Sequence, residues 1–222
     1  MIGAFDFGWL ETGSRALLEG AGMTLMLTIC STVLGLTISV FGAAARRGQI
    51  AWLRSLVGIY VEAIRNTPFI VQLFFIYFGL PSLGVNLHPI WAGIIAMTLN
   101  IGAYATEIVA AGLAAVGDGQ REAAQALGLK PRIVFIKVVL PQAMAVIFPA
   151  LASQVVITML DSAVISQISV RELTMHANLI QSATFRPFET FLVAAMLYLA
   201  LAVALRRILT LCARRYLGPG LL

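Results

Sequence analysis

The stretch Gly119–Pro141 reads GQREAAQALGLKPRIVFIKVVLP, and it separates two strongly apolar parts of the chain. Four basic residues lie in it, against Glu122 and the preceding Asp118. An excess of Lys and Arg in a short loop between apolar segments is typical of the cytoplasmic side of a membrane. Residues Gln120–Leu129 are rich in helix formers, and Gly128 before Pro131 is suited to a helix end. The stretch therefore predicts a short amphipathic helix in a cytoplasmic loop.

Composition places the whole chain in a lipid bilayer. Of its 222 residues 60% are hydrophobic and only 11% are charged, whereas charged residues make up about a quarter of an ordinary soluble domain. The net charge of +5 comes from basic residues beside apolar segments, which favours positive-inside topology over nucleic-acid binding. Cys30 and Cys212 are far apart and predict neither a disulfide framework nor a metal site.

Five apolar segments are expected to cross the membrane as helices, since about 20 residues span the hydrocarbon core. The predicted spans are Ala21–Ala45, Leu56–Leu80, Ile90–Val116, Val138–Leu160 and a shorter Thr190–Leu205. Arginine clusters follow the first span (Arg46, Arg47, Arg54) and the last (Arg206, Arg207, Arg214, Arg215). The expected fold is an all-α membrane protein with the N-terminus outside and the C-terminus inside. Residues 1–222 would form a single transmembrane domain with loop 117–137 in the cytoplasm.

The second span contains polar residues in its first part. Glu62 and Arg65 are three residues apart and could meet on one helix face. Pro68 removes a backbone donor just after them, so that Arg65-Asn66-Thr67-Pro68 predicts a kinked or unwound point facing other protein. Alternatively, Glu62 and Arg65 only extend their side chains to the membrane surface.

Asn100, Tyr104 and Glu107 follow one another on one face of the third span. A polar stripe in lipid is costly, so this face should point to the bundle interior or to an aqueous cavity. It could contact cargo, or it could be a polar contact between helices with no cargo role.

The fourth span ends at Asp161, with Gln154 and Thr158 on the same helix face. A continuous helix from Pro141 would carry Asp161 about 30 Å, near the outer surface. Residues Asp161–Glu189 mix apolar and polar side chains and predict an outer helix or loop.

Signals for catalysis and cofactor binding are missing from the sequence. No Gly-Lys pair occurs, so the phosphate-binding P-loop is absent. His88 and His176 have no metal-ligand spacing, and no Gly-x-Ser-x-Gly elbow is present. We expect no catalytic residues, no metal and no cofactor bound by this chain.

Several motifs together resemble the membrane subunits of ABC importers. The coupling-loop pattern of that family, Glu-Ala-Ala followed by Gly, an aliphatic residue and Leu-Pro, fits Glu122, Ala123, Ala124, Gly128, Val138, Leu140 and Pro141, with valine where isoleucine is usual. Further stretches are similar to the histidine, glutamine and arginine type of polar amino-acid permease: Arg65-Asn66-Thr67-Pro68 through Gln72, Asn100 with Ala103-Tyr104 and Glu107, Gly119-Gln120, and Thr184–Glu189.

This resemblance implies the type I ABC importer permease fold and a set of partners. The partners are two ATP-binding subunits that carry ATP and Mg, a second identical or homologous permease, a solute-binding protein outside and membrane lipid, without nucleic acid. It implies three groups of functional residues. Coupling to the ATPase is expected at Gln120, Glu122, Ala123, Ala124, Gly128 and Pro141, the cargo path at Asn100, Tyr104, Glu107, Gln154, Asp161 and Ser162, and a gate or kink at Arg65, Thr67 and Pro68.

The chain departs from the family pattern at the expected cargo site. Relatives often carry Lys-Asp-Thr-Ser-Leu after the fourth span and an acid seven residues before that Asp, whereas this chain has Leu160 before Asp161 and Gln154 upstream. Ala110 replaces an arginine that the family carries three residues after Glu107. These differences leave the cargo open within the polar amino acids.

Two other classes of function are compatible with intramembrane acids. An ion-coupled secondary transporter could use Asp161 and Glu107 as ion sites, but five unequal spans do not divide into the matching halves typical of that class. A structural assembly subunit would be recognised by transport that continues without it.

Overall fold

Helices make up all the regular structure that the computed structural model describes, which comprises residues 6–217. The ends of the expected domain, residues 1–5 and 218–222, lie outside the described residues. The helices are α1 (Leu10–Arg47), α2 (Ala51–Arg65), α3 (Phe69–Phe74), α4 (Pro89–Ala114), α5 (Asp118–Ala126), α6 (Pro131–Val134), α7 (Leu140–Asp161), α8 (Leu173–Thr184) and α9 (Pro187–Leu217). Shorter π and 3-10 turns extend α3 to Leu83, join α6 to α7 and extend α7 to Ile168.

Four helical segments are long and apolar enough to cross a membrane: α1, α4, the continuous run Pro131–Ile168 and α9. A fifth candidate consists of α2 and the α3 segment, which meet at a bend of 110°. The predicted all-α architecture is therefore confirmed, and the bent pair decides whether the number of spans is four or five.

Small side chains allow α1 and α4 to pack closely at the centre of the bundle. The buried residues of α1 include a series of glycines and small hydroxyl residues, namely Gly20, Thr24, Thr28, Ser31, Gly35, Ser39 and Gly42. Gly35 lies against Ile101, and a Cβ at Gly42 would come within 2.6 Å of the Thr106 hydroxyl. Helices in lipid associate through such small residues, because apolar side chains gain little by leaving lipid for protein.

The contacts of α1 show that it runs in the same direction as α4. Ser31 donates to the carbonyl of Ile94, Gly35 faces Ile101, and Gly42 faces Thr106, so both residue numbers rise together. Two spans can be parallel only if the chain between them returns to the starting side. The bent pair α2 and α3 therefore counts as one span, which gives five spans within residues 6–217.

The remaining long helices follow the alternation of a five-span bundle. Gly93 packs on Ile165 and Gly112 on Ile147, so α7 is antiparallel to α4. An ion pair of 2.9 Å joins Arg186, next to the start of α9, to Asp6 near the start of α1. The described chain thus begins and ends at opposite ends of the bundle, while the assignment of these ends to outside and inside stays a prediction.

Several predicted boundaries were too narrow. Helix α1 begins at Leu10 rather than Ala21, and α9 covers 31 residues instead of Thr190–Leu205. The cause is that charged residues such as Glu11 and Arg206 belong to the helix ends, where they can reach the membrane surface. The loop helix α5 covers Asp118–Ala126 and so starts and ends before the predicted Gln120–Leu129.

Candidate functional site

The second span is broken where the sequence predicted a kink. Helix α2 ends at Arg65, and Pro68 holds extended backbone (φ −62°, ψ 140°) before α3 begins. Two polar side chains bond to carbonyls in the last turn of α2. The Asn66 amide donates to the Glu62 carbonyl at 2.9 Å, beside the Asn66 backbone N–H at 3.0 Å, and the Thr67 hydroxyl donates to the Ala63 carbonyl at 2.8 Å. The irregular backbone is thus capped by its own side chains, as membrane depth requires.

Gln72 connects the break to α4. Its buried amide nitrogen donates to the carbonyls of Ile64 (2.7 Å) and Thr67 (3.0 Å) and also lies 3.0 Å from the Thr67 hydroxyl. Its amide oxygen accepts from the Asn100 amide at 3.0 Å. Gln72 therefore uses both ends of its side chain to fix α3 against α2 and α4, a role that the sequence-based site did not include.

Glu107 lies between two arginines in a partly open cluster. Its carboxylate accepts a hydrogen bond from Arg46 of α1 and lies 3.7 Å from a guanidinium nitrogen of Arg65. The guanidinium carbon of Arg65 is also 5.6 Å from the centre of the Tyr104 ring. The side chains of Arg46, Glu107 and Arg65 keep 30%, 37% and 42% of their surface exposed. We call Arg46, Arg65, Tyr104 and Glu107 the Glu107 cluster.

Because the Glu107 cluster is partly exposed, its charged side chains are able to contact a ligand as well as one another. Charged groups inside a span are costly and face a cavity or partner rather than lipid. Arg65 pairs with Glu107 and Tyr104, not with Glu62 as the spacing had suggested. Because its surface offers both a carboxylate and guanidinium groups, the cluster can contact a ligand that carries both signs of charge.

The second group of predicted path residues lies elsewhere on the bundle. Gln154 is buried on α7, the Ser162 hydroxyl donates to the Met159 carbonyl at 2.7 Å, and Asp161 is half-buried at the end of the helix. Gly93 is level with Ile165 and Gly112 is level with Ile147, which places Asp161 level with about residue 97 of α4. Glu107 is therefore about ten helical steps, or about 15 Å, from Asp161 along the bundle axis. The structure does not bring these two acids together in one cluster.

Asp161 does not lie at the end of its helical run. Its level corresponds to about residue 97 of α4, which is about 12 Å from the start of that helix at Pro89. The expectation of a surface position assumed a span from Pro141 to Asp161, whereas the helical run extends from Pro131 to Ile168. Asp161 therefore comes seven residues before the end of the run, and its depth in the membrane stays a prediction.

The predicted coupling residues form an exposed, polar helix and the turn after it. Gln120, Glu122 and Ala123 are exposed on α5, whereas Ala124 is buried against Val134 and Val139. Gly128 ends the segment with φ at +76°, in the left-handed region that favours glycine. Pro141 lies in the first turn of α7 and is half-buried. Ala124 thus anchors α5 on the spans, and the rest of α5 is available to a partner.

A second polar cluster, at the other end of the bundle, was not predicted. Glu172 is fully buried (0% exposed), and it caps α8 by accepting from the backbone N–H of Met175 at 2.8 Å. It also accepts from the hydroxyls of Tyr198 (2.6 Å) and Thr24 (3.5 Å). Burial raises the pKa of Glu172, and these hydrogen bonds oppose the shift. We call Glu172, Thr24, Tyr198 and the Met175 N–H the Glu172 cluster.

Among residues 6–217, no three or more His, Cys, Asp and Glu side chains gather in a way that could hold a metal ion. Glu107 meets arginines and Glu172 meets hydroxyls and a backbone N–H. Their polar contacts are those of ion pairing and packing.

Comparison with known proteins gives the family. Residues 35–218 match the family described as binding-protein-dependent transport system inner membrane component. The chain belongs to this family.

Individual relatives of this inner membrane component agree with that assignment. This chain is 39% identical over 154 residues to the L-cystine transport system permease of Bacillus subtilis, a match that covers 69% of this chain and 66% of the relative. It is 34% identical over 188 residues to a putative glutamine transport system permease of Rickettsia conorii, covering 84% and 86% of the two chains. A crystal structure of an amino acid ABC transporter with histidines has a chain of the same fold, with a TM-score of 0.88 and 35% identity over 96% of this chain and all of that one.

Proposed function

We propose that this inner membrane component is the transmembrane subunit of an ATP-driven importer for a polar amino acid or a related compound. The observation that carries the proposal is the Glu107 cluster, in which a carboxylate and two guanidinium groups remain partly exposed inside a span. A zwitterionic cargo needs both signs of charge from its path. The named substrates of the relatives, cystine and glutamine, belong to this class of compound.

The cargo path in this proposal has two groups of residues, and the acids of these groups, Glu107 and Asp161, are about 15 Å apart along the bundle axis. The first consists of Asn100, Tyr104 and Glu107 beside the break at Arg65, Thr67 and Pro68. The second consists of Gln154, Asp161 and Ser162 on and after α7. A free amino acid is too short to contact both acids at once, so cargo would meet Glu107 and Asp161 in sequence, and the break beside Glu107 would act as the gate.

ATP hydrolysis is assigned to a separate subunit that holds ATP and Mg, while this chain binds no cofactor. The exposed part of α5 and its turn is the surface proposed to bind that ATPase, through Gln120, Glu122, Ala123 and Gly128. Pro141 and buried Ala124 would pass the movement of α5 to the spans. Two ATPase subunits, a second permease and an extracytoplasmic solute-binding protein complete the importer.

Binding of the ATPase at α5 would also imply an orientation of the bundle in the membrane. The arginine-rich end of the bundle, where α1 ends and α5 lies, would face the cytoplasm of a bacterium, in agreement with the positive-inside rule. The start of α1 and α8 would then face the solute-binding protein.

Transport by the purified assembly tests this function. The permease with its ATPase is reconstituted in proteoliposomes, and uptake of labelled polar amino acids is measured with the cognate binding protein. Uptake should require ATP and the binding protein. Uptake that follows a proton gradient without the ATPase would instead identify a secondary transporter. Asp161→Asn should change the kinetics for at least one substrate, and unchanged kinetics for all would remove Asp161 from the path.

The coupling role of α5 has its own matched test. Gly128→Ala places a side chain at a φ of +76°, whereas Gly119→Ala adds the same methyl group in open space without a positive φ. The strain at position 128 is about 1–2 kcal/mol and should distort the turn that receives the ATPase. We expect uptake per ATP hydrolysed to fall for Gly128→Ala only, with equal membrane insertion of both variants. Equal uptake per ATP in both would contradict the coupling role.

A further inference from the structure

An apolar groove runs along three helices at the arginine-rich end of the bundle. Its volume is about 580 Å³, which lies in the range of about 300–1,000 Å³ typical of small-molecule sites. Ser39 and Arg47 are the polar residues among those that line it. The apolar lining residues are Leu36, Val40, Ala43, Ala44, Val109, Leu113, Phe135, Leu140, Met144, Ile147 and Leu151.

The groove is parallel to the spans. Its residues on α1 recur every three or four positions from Leu36 to Arg47, and those on α7 do the same from Leu140 to Leu151, so each helix contributes one face. Eleven helical steps from Leu36 to Arg47 correspond to about 16 Å. The shape is that of a single extended hydrocarbon chain lying along the membrane normal.

A small polar cavity of about 230 Å³ adjoins the groove at its arginine-rich end. Arg47 and Phe135 line both spaces, and the polar cavity adds Arg121 and Gln125 from α5. Arg121 is only loosely held, with Asp118 at 3.8 Å. No acidic residue of the described chain is among the residues that line either space. Two guanidinium groups and an amide at the end of a hydrocarbon groove are complementary to a phosphate that carries an acyl chain.

We propose that this composite site binds one anionic phospholipid, with its phosphate between Arg47 and Arg121 and one acyl chain in the groove. Basic pockets beside spanning helices at the cytoplasmic surface are suited to acidic lipid headgroups. The position of Arg121 and Gln125 gives the lipid a place next to the proposed coupling surface, since both belong to α5. The bound lipid would hold α5 against α1 and α6.

A lipid fits better than the other occupants that the shape admits. A helix of a second permease would fill the groove but would leave Arg47 without a counter-charge, and Arg121 with only the loose pair to Asp118, unless it carried an acid at that depth. Free phosphate would satisfy the arginines but would leave an apolar groove of about 580 Å³ unfilled. Only an amphiphile satisfies both spaces at once.

Two sets of variants in the intact transporter test the headgroup and the acyl chain separately. Arg47→Gln and Arg121→Gln remove headgroup contacts, and Arg54→Gln is the matched control, since Arg54 is an exposed arginine outside both spaces. Val40→Trp fills the groove, and Val33→Trp is its control on the same helix, because the two valines are 61% and 60% exposed and only Val40 lines the groove.

Bound lipid is counted by native mass spectrometry of the delipidated assembly after addition of phosphatidylglycerol or phosphatidylcholine. We expect one retained phosphatidylglycerol for each permease chain, little phosphatidylcholine, and retention that weakens about fivefold for each arginine removed. Val40→Trp should abolish retention, while Arg54→Gln and Val33→Trp should bind as the unaltered protein does.

Three results would overturn the proposal. The first is equal retention of the two lipids. The second is displacement of the lipid by millimolar inorganic phosphate together with normal retention in Val40→Trp, which would indicate a free-anion site. The third is loss of pairing between permeases in Val40→Trp with no change in lipid retention in the arginine variants, which would assign the groove to a second copy.

Discussion

The Glu107 cluster and the Glu172 cluster each consist of one acid with polar partners from distant helices, but the first is open and the second is closed. Glu172 has no exposed surface, and its partners are two hydroxyls and a backbone N–H. Glu107 keeps 37% of its side-chain surface exposed and is paired with arginines. The difference indicates that the sealed acid fixes helices to one another, whereas the open acid keeps surface for the ligand contact that we propose.

The largest expected effect is on stability at the closed cluster. Glu172→Ala removes three hydrogen bonds, among them those of the Met175 N–H and the Thr24 hydroxyl, and leaves the Tyr198 hydroxyl with Thr174 as its remaining partner, so the free energy of unfolding should fall by about 3 kcal/mol. Thermal unfolding of the detergent-solubilised transporter measures this change. Glu19→Ala is the control, since Glu19 forms an exposed pair with Arg15 and its loss should alter stability by less than about 0.5 kcal/mol. Equal unfolding of the two variants would contradict a stabilising role for Glu172.

The next largest effect is a loss of stability when the side chain that holds the broken span together is replaced. Gln72→Leu deprives the Ile64 and Thr67 carbonyls and the Asn100 amide of a partner, which should lower stability by about 2 kcal/mol. Gln167→Leu, at an exposed glutamine outside the break, should change it far less. The same unfolding measurement applies, combined with proteolysis near residue 68. Unaltered stability and cleavage in Gln72→Leu would mean that the break does not depend on Gln72.

At the open cluster the effect should appear in transport rather than in stability. Glu107→Gln should reduce ATP-driven uptake about tenfold, the loss of roughly one charged hydrogen bond to cargo. Its stability should change by less than about 1 kcal/mol, because partly exposed ion pairs contribute little. Glu62→Gln, at an exposed acid on α2, is the control. A large loss of stability with normal uptake in the folded fraction would make Glu107 equivalent to Glu172 and remove the distinction.

The smallest expected effect is a pH dependence of stability from the closed cluster. Because burial raises the pKa of Glu172 in the folded protein, the folded state binds more of this proton than the unfolded state between the two pKa values. Stability should therefore fall as pH rises from the ordinary carboxyl range through the raised pKa, with a slope below about 1.4 kcal/mol per pH unit. Unfolding measured against pH should lose this slope in Glu172→Gln. The same slope in both proteins would assign it to other groups.

Much of the fold could be predicted because apolar length and arginine placement are local signals. The break at Arg65–Pro68 was predicted from the same kind of local evidence, since proline cannot donate a backbone hydrogen bond, and the structure confirms it. Helix boundaries were less accurate, since charged residues at helix ends remain helical beyond the hydrocarbon core.

The partners of the polar residues could not be predicted from local patterns. Arg46 served as a marker of the membrane side and Glu107 as a cargo residue, yet the structure pairs them across 61 positions of sequence. Glu172 was hidden in a mixed segment, and its contact with Thr24 spans 148 positions. One available signal was an acid directly before the apolar Leu173, where it can cap a helix. For Gln72 the available signal was a polar amide a few residues after a proline break in a span.

The glycines on α1 have a consequence for how the bundle can move. With Gly35 against Ile101 and Gly42 against Thr106, the two backbones interlock too closely to slide past each other without collision. Helices α1 and α4 must then travel as one rigid body in any transport cycle. We expect the change of shape to occur instead at the 110° bend between α2 and α3 and in the segments attached to it.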